Sequence, residues 1–306
     1  LRRSAFLEEI RRLDPERDHQ RIVFLCSCHE FAFDMVRSLE FALFRTFSVP
    51  SISGLLDRTG EFAQRAQKRY DDTDLIVSAM MAWGYDSDLG RAALRRMNQI
   101  HGRFGIANDD FLYVLSTFVY EPIRWIDKYG WRRMCEQERL AMFYFWREVG
   151  RRMNIKDLPT DSKSFERFNV AYERENFRFV EANARVGAAT RDMFLSWYPS
   201  WLRPLARPAI YALMDDPILV AFGFPHPSRL TRRLVEAALN ARAVALRVFP
   251  PRHRPRIRTE LRHRSYPDGY RIEELGPPSP GPPSPGRPSP APDGHAQPVG
   301  GAGSSA

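Results

Sequence analysis

Apolar residues recur at three- and four-residue steps through most of the chain, the spacing of a helix with one buried face. Ile22, Leu25, His29, Phe33, Val36, Leu39, Leu43 and Phe47 make the first long run. It should end near Val49, because Pro50 lacks an N–H and restricts the residue before it. Ser51 or Ser53 can cap a following helix through Leu55, Leu56, Phe62 and Ala66 towards Tyr70-Asp71-Asp72-Thr73. Asp72 or Thr73 then restarts a short helix that stops at Trp83-Gly84. Ser87 caps a helix on which Leu94, Met97, Asn98 and His101 share a face. Asn108-Asp109-Asp110 opens an aromatic helix from Phe111 to Tyr129, kinked at Pro122 and stopped by Gly130.

Glu136 to Met153 reads as another helix, with Leu140, Phe143, Tyr144 and Trp146 inward. After a turn at Asp157-Leu158-Pro159-Thr160, Ser162 or Ser164 leads into a long helix through Phe168, Tyr172, Phe179 and Ala182. Shorter, proline-punctuated helices follow, then Ser228 to Val248, ended by Pro250-Pro251. Alternation of period two is nearly absent. The pattern therefore predicts an all-α, single-domain bundle over residues 1–275, closing with an irregular basic arm. Residues 276–306, rich in Pro, Gly and Ser, cannot bury enough apolar surface to offset ordering entropy and are expected to be disordered.

Charge sharpens this picture at one place. The net charge of +9 is concentrated between Arg229 and Arg264, which hold eleven Arg and no Lys against Glu236 and Glu260. Three cysteines, two of them the close pair Cys26 and Cys28, do not make a disulfide framework, so a reducing, cytoplasmic setting is expected. No apolar run follows the arginines near the N-terminus, so no signal peptide is expected. No run reaches the roughly 18 uncharged apolar residues of a membrane span.

Familiar catalytic signatures are missing: there is no glycine-rich phosphate loop, no Gly-x-Ser-x-Gly and no His-Glu-x-x-His. Cys26-Ser27-Cys28-His29 resembles half a metal site but lacks a second ligand pair, and it lies on an apolar helical face. Asp71, Asp72, Asp74, Asp109 and Asp110 read as helix caps in preference to acid–base pairs or metal ligands. The stretch Arg252-His253-Arg254-Pro255-Arg256-Ile257-Arg258 suits phosphates or anionic lipid, or equally an acidic surface of its own domain. With few interleaved aromatics it is a poor nucleic-acid surface.

His101 is the remaining candidate. A haem needs an apolar-bound nitrogen, cations for its propionates and a polar distal side. Arg95, Arg96 and Arg103 flank His101 and can meet propionates; Arg58 and Thr59 offer a polar distal side. By residue type alone, a satisfied core or rim histidine is the simpler reading.

Several strings together resemble a known family. They are Leu43-Phe44-Arg45-Thr46-Phe47-Ser48-Val49-Pro50, Arg58-Thr59-Gly60-Glu61-Phe62, Lys68-Arg69-Tyr70-Asp71-Asp72-Thr73, Arg95-Arg96-Met97-Asn98-Gln99-Ile100-His101-Gly102, Asn108-Asp109-Asp110-Phe111-Leu112-Tyr113-Val114-Leu115, Trp146-Arg147-Glu148-Val149-Gly150-Arg151-Arg152-Met153 and Tyr172-Glu173. Over residues 10–275 the chain resembles the family of the rubber-cleaving latex clearing oxygenase and MpaB, closest to its MpaB-like branch. The resemblance implies an all-α fold holding haem b in a crevice through one histidine, here His101, and oxidation of a hydrophobic small molecule with dioxygen. It implies cofactor contacts from Arg95 and Arg103 and catalytic roles for Arg58 and Thr59. Two positions depart from the rubber-cleaving pattern: Asn98 replaces an arginine, and Leu55 a basic residue. Haem binding thus carries over better than double-bond cleavage. The rival expectation is a redox-inactive binding module that docks residues 229–264 on anionic membrane, with nucleic acid disfavoured.

Overall fold

The computed structural model describes residues 5–248 and 254–277. The expected stop at Pro250-Pro251 and nearly all of the Pro-rich tail lie outside the described residues. Among them are thirteen α-helices and no strand, the all-α architecture that the periodicity predicts. The helices are α1 (Ala5–Arg12), α2 (His19–Phe24), α3 (Ala32–Phe47), α4 (Pro50–Thr59), α5 (Glu61–Trp83), α6 (Asp88–His101), α7 (Asn108–Tyr129), α8 (Glu136–Arg152), α9 (Ser162–Asn176), α10 (Glu181–Ser196), α11 (Arg203–Ala212), α12 (Asp216–Phe222) and α13 (Arg229–Val248).

α7 is the central post. It packs along α3 on one side and α8 and α9 on others. The main core joins α2, α5, α6, α7 and α8, with Trp146, Phe143 and Phe145 fully buried. A smaller core joins the end of α3 to α10 and α12 around Phe44, Phe194 and Phe222. At the junction Asn183 is wholly buried. It donates to the carbonyls of Ser48 and Arg178, both at 2.9 Å, and accepts from the Ser53 hydroxyl. Ser53 is therefore a core tie; Pro50 itself opens α4.

Four expected boundaries are corrected. The run from Ile22 to Phe47 is broken, because a π-helical turn over Leu25–Glu30 ends at Phe31, whose backbone leaves the helix. There the Phe31 N–H reaches back to the Cys26 carbonyl, 2.8 Å away. The helix expected from Ser51 or Ser53 stops at Gly60, whose φ of 70° favours a residue without a side chain. Next, no helix restarts at Asp72 or Thr73, since α5 runs straight through them. Finally, the helix expected from Ser162 to Ala182 breaks over Phe177–Val180, releasing α10 to cross the smaller core.

The acidic residues of α5 are not caps either. They lie in mid-helix and receive the chain that follows α13. Arg258 grips Asp74, with its Nε 2.7 and 2.9 Å from the two carboxylate oxygens. The Ser265 N–H donates to Asp71 at 2.9 Å, and the Tyr266 hydroxyl donates to Asp72. Lys68 bridges Asp72 (2.9 Å) and the Gly276 carbonyl (3.0 Å). Arg96 is buried and donates to the Leu275 carbonyl at 2.6 Å. Gly276 sits so tightly on Ile100 that a Cβ there would collide with it. The basic arm is thus a strap packed on an acidic face of its own domain, and the packed chain continues to Pro277.

His263 makes this strap sensitive to pH. Its Nδ1 lies 3.8 Å from Asp71 and 3.7 Å from Asp74, and its Nε2 is 3.0 Å from the Arg258 carbonyl. Burial lowers its proton affinity. The nearby Asp71 carboxylate, the bond to the Arg258 carbonyl and the Asp74 charge outweigh that, so its pKa is raised. A raised histidine stabilises the fold fully below its unfolded value near 6.5 and ceases to do so as pH climbs through the folded value. Hydrogen exchange over residues 254–277 should accelerate, beyond its intrinsic pH dependence, as pH rises above about 6.5. His263→Gln should flatten that response.

Candidate active site

α5 and α6 form an antiparallel pair joined by a tight turn at Gly84–Ser87. Ser87 caps α6 as expected, its Oγ accepting the Gly90 N–H at 3.0 Å. Gly90 lies against the Gly84 carbonyl, with no room for a Cβ. This close turn fixes the register of the pair and sets the end of α6, where His101 sits, beside the first half of α5.

His101 is an unusual histidine. Its Nδ1 is buried and has no hydrogen-bond partner among the described residues. The Phe111 ring meets it edge-on at 5.5 Å. Burial, followed by the nearby positive charge of Arg69, pushes its pKa down to about 4. At neutral pH it is therefore an uncharged imidazole. Arg69 is also held down by burial, donates to the Thr73 hydroxyl, and lies 6.0 Å from the Phe62 ring. A neutral imidazole, a poorly solvated guanidinium, a hydroxyl and an aromatic edge thus converge between α5, α6 and α7.

The other expected site residues are placed as follows. Arg95 and Arg103, on and just beyond α6, are exposed. Arg96 is turned away, into the C-terminal strap. Arg58 is exposed in the last turn of α4, and the Thr59 hydroxyl donates to the Leu56 carbonyl of its own helix at 2.6 Å. Asn98 donates to the Arg152 carbonyl at 3.1 Å, closing the end of α8. Leu115, Phe143 and Trp146 are packed core; Trp146 stacks on Phe118 at 4.5 Å. None of these three has a ring contact with His101, whose ring neighbour is Phe111.

Arg69 and Thr73 escaped the sequence reading. They were legible as an i, i+4 polar pair, and counting outward equally from the Gly84–Ser87 turn brings Arg69 and Tyr70 level with His101. The half metal motif at Cys26 and Cys28 holds no cluster of ligands: no group of three or more His, Cys, Asp or Glu suited to a metal occurs among the described residues. Cys26 donates to Glu138 at 3.3 Å, and His29 packs on Phe6 and Phe24.

Next to α5, a cleft between it and α3 is lined by Met35, Leu39, Leu43, Val77 and Met81, with Thr73 at its wall and Arg258 of the strap across it. Glu40 lies within it. Burial raises the Glu40 carboxyl to about 7 against the pull of Arg37 and Tyr70. The cleft is chiefly apolar but small, about 60 Å³, against roughly 300–1,000 Å³ for a ligand pocket.

Residues 34–247 match the family described as ER-bound oxygenase mpaB/B'/Rubber oxygenase, catalytic domain. The chain is 28% identical over 240 residues to the ER-bound oxygenase mpaB' of Penicillium brevicompactum, a span of 72% of this chain and 57% of that protein. It is 32% identical over 145 residues to the ER-bound oxygenase mpaB of the same organism, covering 45% of this chain and 37% of that one. To the mpaB of Penicillium roqueforti (strain FM164) it is 33% identical over 144 residues, or 44% and 48% of the two chains. It therefore spans little more than half the length of these curated relatives at most.

Proposed function

Since this chain belongs to the mpaB/rubber oxygenase family, we propose that it is a haem b-dependent oxygenase acting on a hydrophobic small molecule with dioxygen, and that His101 is the axial ligand. One observation carries this reading: a buried imidazole nitrogen with no partner, in a histidine kept neutral. A buried polar atom left unpaired costs about 1–3 kcal/mol. Among the described residues His29 Nδ1 is unpaired too, but His101 is the one whose burial beside Arg69 pushes its pKa down to about 4. The donor chemistry fits haem iron, which takes a neutral histidine nitrogen.

When bound, haem b supplies the iron at which dioxygen is put to use. The chain's own contributions follow from its residues. His101 would hold the group, with the Phe111 ring set edge-on against its imidazole. Arg95 and Arg103 lie on the exposed side, where propionates would meet solvent. Arg69 and Thr73 are better placed than Arg58 and Thr59 to set polarity beside the site, because Arg69 is the charge that reaches His101. The apolar α3–α5 cleft, which Thr73 also lines, would have to widen to take the substrate. Asn98, committed to α8, leaves oxidation of an apolar substrate a better fit than double-bond cleavage.

A binding module built on Arg229–Arg264 finds less support, because Arg258 is engaged inside the fold, as is Arg242 with Asp34. The setting proposed is cytoplasmic or peripheral to a membrane: the relatives are named ER-bound, and no helix among the described residues is long and apolar enough to cross a bilayer. The absorption spectrum of protein produced with haem supplied tests the reading. A Soret band at one haem per chain is expected. A colourless protein that also fails to take up added haem overturns it.

A further inference from the structure

α13 carries a face that none of the described residues covers. Only Ala243 of its side chains is buried. Leu230 (67% exposed), Leu234 (61%), Val244 (56%) and Val248 (82%) follow one another at four-, ten- and four-residue steps. Ala237, Ala238, Ala241 and Ala245, all exposed, fill the gaps between them. At 100° per residue these eight positions form one continuous apolar stripe about 120° wide, along a 20-residue helix some 30 Å long. Arg229, Arg233 and Arg247 fall together along one edge of that stripe, and all three are exposed. The helix has a single acid, Glu236, and Lys128 neutralises it at 2.7 Å. α11, which packs beside α13, adds exposed Leu205 (67%), and the short 3-10 turn Ser200–Leu202 just before it adds Trp201 (74%).

We infer that α13 is a membrane-docking helix that lies in the plane of an anionic bilayer surface, its Leu/Val/Ala stripe sunk among the acyl chains and Arg229, Arg233 and Arg247 paired with lipid phosphates. The occupant follows from the charge pattern. A long apolar stripe edged by arginines, without an opposing acid, is the signature of an interfacial helix. A second copy of the same face would set its arginine edges on a surface with no carboxylate to receive them. The docking element is therefore α13 and not the arginine arm after it, which α5 already holds. This inference stands apart from the haem reading, and protein without cofactor suffices to test it.

The test is sedimentation of the full chain with vesicles of phosphatidylcholine and phosphatidylserine, beside phosphatidylcholine alone, together with Trp fluorescence. The protein should partition onto the mixed vesicles and much less onto the neutral ones, with a blue shift. At about a tenfold loss for each 1.4 kcal/mol and roughly 1 kcal/mol per surface arginine, R229E/R233E/R247E should weaken that partition about a hundredfold or more. L230S/L234S/V244S should weaken it at least about tenfold. Because all six side chains are exposed, and only Arg247 gives up a bond to the described fold (its Nε to the Trp131 carbonyl, 2.8 Å), helicity and melting should hardly change in either variant. Vesicle binding that survives in both variants overturns the inference, and so does absence of binding. A lipid-free dimer that L230S/L234S/V244S dissociates also overturns it, assigning the stripe to a second copy.

Discussion

Haem-free His101→Leu protein should be no less stable than the haem-free parent at pH 7, and clearly more stable at pH 5, while the same variant produced with haem supplied should show no Soret band. Leu removes an unpaired buried nitrogen and fills similar space with carbon, which relieves a cost of about 1–3 kcal/mol. The pH dependence has a definite sign. His101 has a folded pKa of about 4, below its unfolded value near 6.5. Between those values the unfolded chain binds a proton that the folded chain refuses. Stability therefore falls as pH drops through this window, by about 3 kcal/mol when fully developed. The variant lacks the group and loses that share of the acid sensitivity. Urea unfolding at the two pH values gives the stability arm, and the absorption spectrum gives the ligand arm. A variant that is much less stable at pH 7 makes His101 a packing residue. One that keeps its colour moves the iron to another ligand.

This result would explain why an awkward histidine ends α6: its discomfort in the empty protein is the counterpart of its use. It also shows what the sequence could and could not tell. The spacing of Leu94, Met97, Asn98 and His101 placed the histidine on the inner face of a capped helix, and the cap at Ser87 is as read. What periodicity cannot report is whether a ring nitrogen finds a partner across the bundle, because that depends on α7 and on the register of the α5–α6 turn. The family-like strings identify the family rightly, yet several of them are scaffold. Arg45 draws together Glu121 (2.9 Å), Glu173 (3.1 Å) and Asp215 (2.6 Å). Asp110 receives Ser51 (2.7 Å) and Tyr172 (2.6 Å). Asp71, Asp72 and Asp74 looked like caps because adjacent acids near a polar break usually are. Their actual partners lie some two hundred residues later, beyond the reach of any local pattern. The π-turn at Leu25–Glu30 escaped for a related reason: a single extra residue in a helical turn hardly disturbs the apolar spacing.

Arg132→Met should be the most destabilising single change outside the core packing, by about 3–5 kcal/mol. Arg132 joins the π-turn to the start of α8. It bonds Glu30 at 2.7 Å, and Glu138 at 2.6 and 2.7 Å, where the Glu138 side chain has no exposure and Glu30 only 2%. Its guanidinium lies 4.6 Å over the Phe31 ring. Glu138 in turn accepts the Cys135 N–H at 2.7 Å and closes the first turn of α8. Methionine fills much the same volume, so lost packing is a minor part of the change. What remains is two buried carboxylates that have lost the cation they share. Desolvation and mutual repulsion then add, and the π-turn that presents Glu30 has no reason to persist. The triple variant R132M/E30Q/E138Q separates the two causes, because it removes both charges and retains amides able to donate and accept. It should recover a large part of the loss, measured as the unfolding free energy in urea at pH 7. If the triple variant is as unstable as Arg132→Met, packing of the guanidinium on Phe31 is the dominant contribution, and the buried carboxylates matter less than their depth in the fold implies.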